Sequence, residues 1–131
     1  MTGHTIDPAA RPYDPADLPA KPEVDATDFF ALDLRIGRVV AVDDFPEARK
    51  PAWKLTVDFG PHVGTLQTSA QLTDHDRDEL VGRMVVGAVN LPDKRIAGFT
   101  SQFLVLGGLH ADGRVSLLDT DVTLPPGSAV L

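Results

Sequence analysis

The segment Trp53-Lys54-Leu55-Thr56-Val57-Asp58-Phe59 alternates apolar and polar residues without a break. Successive strand side chains point to opposite faces, so this alternation predicts a strand with one buried and one wet face. Gly60-Pro61-His62 turns the chain, and His62 to Thr68 is expected to return as the hairpin partner. Leu34 to Val42 is rich in β-branched residues and reads as an earlier strand, in which Gly37 marks a bulge or a close backbone approach. Phe45 to Pro51, bounded by prolines, is the loop between these strands. Arg83 to Asn90 predicts another strand, and Leu91-Pro92-Asp93-Lys94 a turn. Phe103-Leu104-Val105-Leu106 is a continuous apolar run suited to a strand buried on both faces. Arg114 to Leu118 follows an Asp112-Gly113 turn as the last strand. Two helical segments are expected. A short one runs from Asp28 to Leu32, capped by Asp25 or Thr27; a longer one runs from Ala70 to Val81, capped by Thr73 or Asp74 and ended by Gly82. About six short strands with one helix after the third element predict an all-β domain over residues 29–131. The order matches an OB-fold, a five- to six-stranded Greek-key barrel.

Residues 1–28 follow different rules. They hold five of the eleven prolines, spaced by three or four residues. Each removes a backbone donor and biases its neighbour towards extended conformations, so this stretch reads as an extended or disordered arm. The arm carries two bases against six acids, within a chain of net charge -7. An acidic surface argues against nucleic acid as a ligand, but the arm holds more than half of the excess. That leaves residues 29–131 near balance, with ten bases against 13 acids. The arm's charge also makes it a candidate pseudo-ligand for those bases. There is no cysteine, which excludes disulfides, thiolate metal sites and a cysteine nucleophile. No apolar run approaches the length of a membrane span, and the first residues lack a basic and an apolar secretory region. A cytoplasmic protein without membrane insertion is the expectation.

Catalytic signatures are missing: there is no G-x-S-x-G elbow, no GxxxxGK[ST] and no GxGxxG loop. The four histidines lack ligand spacing, so no metal, no cofactor and no catalytic residue is expected. The acid cluster from Asp74 to Glu79 reads as a helix start complementing the helix dipole. Binding is the chemistry that the sequence supports. Nine of the ten bases of residues 29–131 fall between Arg35 and Arg95, with Arg49-Lys50 and Lys94-Arg95 paired on loops. Loops and one sheet face are where OB barrels hold oligomers. Ser69, Gln71, Asn90, Thr100, Ser101 and Gln102 are polar residues at apolar strand ends, where they serve either a ligand or local turn chemistry. Phe99, between Gly98 and Thr100, is expected to be the exposed aromatic, and Phe103 to be core.

Five ordered segments carry a family resemblance. They are Asp33 to Val40, Phe45 to Arg49 with Pro51 to Leu55, Thr68 to Thr73, Val89 to Pro92, and Arg95 to Gly108. They resemble the CsaA-type secretion chaperones, within the wider group of tRNA-binding OB domains also appended to some aminoacyl-tRNA synthetases. The resemblance implies an OB barrel, a homodimer, and binding of unfolded preproteins or peptides, with tRNA as the alternative ligand of the same surface. It places Asn90, Arg95, Phe99 and Ser101 near the binding groove and subunit contact, together with Lys54, Ser69 and Gln71. The proline-rich arm departs from the family pattern.

Overall fold

A computed structural model describes residues 6, 7, 9 and 12–131. The elements, in chain order, are α1 (Ala26–Phe30), β1 (Leu34–Asp44), β2 (Trp53–Asp58), α2 (Gly60–Val63), β3 (Thr65–Ala70), α3 (Arg77–Leu80), β4 (Met84–Ala88), β5 (Lys94–Ile96), β6 (Phe99–Ser101), β7 (Leu104–Val105), β8 (Gly107–Leu109) and β9 (Val115–Leu117). Five of the strands form an antiparallel sheet in the order β3-β2-β1-β4-β7; β5-β6 and β8-β9 are separate hairpins. The sheet curls into the OB barrel that the sequence pattern predicts.

The long strand β1 does most of the bending. Its first half pairs with β4 and its second half with β2. The register slips between Val39 and Ala41, a bulge that turns the strand from one neighbour to the other. The C-terminal segment closes on the free side of the first half, where Ile36 N–H donates to the Ser128 carbonyl and Val130 N–H to that of Leu34.

Alternation along β2 holds as read: Leu55, Val57 and Phe59 are fully buried. The Phe59 ring lies in a slot left by two glycines. A Cβ on Gly37 would stand 2.6 Å from one ring carbon of Phe59, and a Cβ on Gly87 2.6 Å from another. The open face of this slot is filled by Phe103, whose ring meets that of Phe59 edge-on at 4.9 Å. Gly37 is therefore a close-approach glycine, and the bulge lies three residues on, at Val40.

Several expectations are corrected. Helix α3 is a single turn, not a run from Ala70 to Val81. Ala70 still belongs to β3, and the cap is Asp76, whose N–H donates to the Glu79 carboxylate at 3.2 Å. Residues from Leu72 to His75 form a turn held by His75 N–H on the Leu72 carbonyl. The return strand starts at Thr65, because Gly60–Val63 closes a helical turn first. The apolar run at Phe103 yields only a two-residue strand, and only Phe103 of the four is buried. The turn expected at Leu91–Lys94 leads straight into an unforeseen hairpin, β5-β6. Its turn residues Ala97 and Gly98 both have positive φ, 47° and 82°, the geometry that matches strand twist in a two-residue hairpin.

A candidate binding groove

The barrel closes between β3 and the β6–β7 segment through side chains and one main-chain bond rather than a regular ladder. Gln67 N–H donates to the Gln102 side chain, the Gln67 amide donates to the Thr100 carbonyl, and Gln102 N–H donates to the Gln67 carbonyl. Deeper in, the buried Thr68 hydroxyl donates to the Phe103 carbonyl at 2.7 Å and takes the Ser101 hydroxyl at 2.7 Å. Thr68→Val keeps the shape but leaves the Phe103 carbonyl and the Ser101 hydroxyl unpaired. A loss of about 1–3 kcal/mol is expected in urea unfolding. A smaller change would mean that water replaces the threonine.

This seam forms the floor of a groove of about 1390 Å³. Thr68, Ser69, Gln71 and Ser101 supply polar floor groups; Leu72, Ile96, Phe103 and Leu104 supply apolar ones. The lining residues that come from 29–131 include four bases, Arg49, Lys50, Lys94 and Arg95, and no acid. Sequence balance concealed this local polarity. The acids lie elsewhere: Asp44 pairs with Arg77 at 2.6 Å, Asp112 with Arg114 at 2.9 Å, and Asp33 with Arg35 at 2.8 Å. The Asp33 hydrogen bond raises the pKa of Arg35, and the Arg114 backbone N–H lowers that of Asp112. Neither pair lines the groove.

Of the seven candidate residues, Ser69, Gln71, Arg95 and Ser101 come together along the groove. Arg95 donates to the Thr100 hydroxyl at 3.1 Å, which fixes its direction on β5. Lys54 and Phe99 form a separate stack. The Lys54 ammonium lies 4.8 Å from the Phe45 ring centre and 5.3 Å from that of Phe99, and the two rings are 5.4 Å apart. Phe99 is thus half-buried against Phe45 and not the exposed aromatic expected. Asn90 stands apart from both groups. Its amide oxygen takes Asp33 N–H and its amide nitrogen donates to the Ala31 carbonyl, each at 2.8 Å, so it clamps the end of α1 to the start of β1. The histidine of the acid cluster is tied to distant strands. His75 meets the Val115 carbonyl at 2.8 Å, and its own carbonyl takes the Trp53 indole N–H.

The groove's other wall holds none of the seven candidate residues. It comes from the N-terminal arm: Ile6, Asp7, Tyr13, Pro15, Leu18 and Lys21 all line it. The arm's acidic charge, which made it a candidate pseudo-ligand, was one signal for this; Tyr13, the one tyrosine of the chain, set in a proline-rich stretch, was another.

Comparison with known proteins places this architecture. The family described as "Putative tRNA binding domain" matches residues 34–129. The crystal structure of a CsaA chaperone protein from Picrophilus torridus superposes with a TM-score of 0.79 at 41% identity, covering 83% of this chain and all of that one. This chain is a CsaA-type member of the tRNA-binding domain family. The CsaA chaperone of Bacillus anthracis str. Ames gives the same TM-score at 44% identity, over 84% of this chain and 100% of its own. Methionine--tRNA ligase 1 of Sorangium cellulosum is 33% identical over 115 residues, covering 88% of this chain. The chain spans only 16% of that ligase. Among the described residues, no helix is long and apolar enough to cross a membrane.

Proposed function

We propose that the groove binds extended segments of unfolded polypeptide, and that the protein is a chaperone rather than an enzyme, serving unfolded preproteins before export. One observation carries the reading. At Ile6 both main-chain groups are taken by groove side chains: its N–H donates to Gln71 at 3.0 Å and its carbonyl accepts from the Lys50 ammonium at 3.0 Å. Contacts of this kind grip a chain through atoms that every residue has, so binding tolerates many sequences. The Ile6 side chain meanwhile packs against the barrel core. The CsaA likeness supports the same reading. Ile96→Glu places a charge in the apolar part of the groove, on a hairpin outside the main sheet. It is expected to abolish protection of thermally unfolded citrate synthase in a light-scattering assay, with unchanged circular dichroism. Full protection by the variant would put client binding elsewhere.

The four groove bases from the barrel, with no acid among its own lining residues, favour a second reading, tRNA as a ligand of the same surface. The proposal also includes assembly of two copies. Phe29, Phe30 and Leu32 stand 43%, 65% and 41% exposed around α1, and a second subunit would cover them. Sedimentation showing a monomer at micromolar concentration would remove this element.

A further inference from the structure

We infer that the N-terminal arm is a built-in strap: it forms one wall of the groove in cis, takes the Gln71 and Lys50 contacts that a client would use, and excludes a client until it is displaced. The inference rests on the reading of the groove as a polypeptide site.

The arm lies outside the matched family domain, which begins at residue 34. Yet it makes specific contacts. Besides the two main-chain bonds of Ile6, the Asp7 carboxylate faces the Lys50 ammonium at 4.0 Å. Tyr13 is buried, 9% exposed, although residues 14–32 are exposed throughout. Its hydroxyl accepts the Asp7 N–H at 3.0 Å, so one buried ring braces the segment that Gln71 and Lys50 hold. Of the arm's charged residues, Asp7 and Lys21 line the groove, and Asp7 is the one that meets a groove base, Lys50.

These contacts are too few to bind a free peptide tightly. They need not, because the arm is joined to the barrel. A short tether holds its effective concentration near the millimolar range, so a weak contact still fills the site. If the arm is docked about nine-tenths of the time, a client's apparent affinity falls about tenfold. A client competes by supplying the same kind of main-chain groups along with a larger apolar surface.

The test pins the arm. The chain has no cysteine, so in Asp7→Cys/Ala48→Cys, which keeps Lys50 on the same loop, a cleavable bis-maleimide joins only those two lining positions. The probe is fluorescein-labelled, reduced and carboxymethylated α-lactalbumin, a permanently unfolded chain. The pinned protein is expected to bind it at least tenfold more weakly than the same protein after the linker is cleaved. Equal affinity in both forms overturns the strap.

Amide hydrogen exchange reads docking without any client. Protection of the Ile6 and Asp7 amides in the wild type, lost in Tyr13→Ala, is expected; random-coil exchange in the wild type overturns the strap as well. A probe that binds neither pinned nor released protein removes the client reading alone, and exchange then decides whether the arm docks.

Discussion

Phe59→Ala is expected to lower the stability of the barrel by about 3–5 kcal/mol, the range for deleting a buried ring. Domains of this size are stable by only about 5–15 kcal/mol, so the variant sits close to unfolding at 37 °C. Phe59 is fully buried, its ring is edge-on to Phe103, and β1 and β4 each leave out a side chain to admit it. The reciprocal change tests the same geometry. Gly87→Ala sets a Cβ 2.6 Å from the Phe59 ring and 3.1 Å from that of Phe103. The strand must then shift, at a cost of roughly 1–3 kcal/mol. Combined with Phe59→Leu, which withdraws the ring, Gly87→Ala is expected to cost less than it does alone. A coupling of about 0.5–3 kcal/mol is the signature of side chains that share one space. Urea unfolding of the two single variants and the double variant measures it. Strict additivity would mean that the ring moves aside freely and that the slot is not shaped for it.

The slot also shows where legibility ends. Period-two alternation at residues 53–59 was enough to locate β2 and its buried face, because solvent acts on each position separately. Gly37 was recognisable as a special position for the same reason: a glycine inside a β-branched run has few other uses. The β5-β6 hairpin was not. Its turn is Ala97-Gly98, and the alanine at φ 47° carries none of the usual asparagine or glycine signal there. Helix α3 was overdrawn because acids and alanine favour helix locally, while pairing of Ala70 with Trp53 claims that end for the sheet. Of the candidate site, strand-end polar residues were found by type, and four of seven converge on one groove. Asn90, Lys54 and Phe99 were also chosen by residue type, but Asn90 meets main chain and the other two meet Phe45 instead, a choice that only the three-dimensional path decides. The arm's contacts were out of reach, since Ile6 and Gln71 lie 65 residues apart.

Replacing both Lys94 and Arg95 by alanine is expected to have the largest effect on the RNA reading. Both line the groove, and neither forms an ion pair among the described residues. Their loss leaves the core intact, because β5 pairs only with β6 and Arg95 is exposed. If they neutralise phosphates, wild-type binding of bulk tRNA falls with salt at a log–log slope of about -3 or steeper, and the double variant is shallower by about two. The loss should be uniform across RNA sequences, since phosphate contacts position a ligand without reading bases. Unfolded-client binding rests on Gln71, Lys50 and the apolar floor and should change little. Fluorescence anisotropy over a salt series, with tRNA and with the unfolded client in parallel, separates the two. An unchanged slope would take RNA away from this rim. Equal losses for both ligands would mean that the hairpin holds the groove open, so that one structural change disables every occupant alike.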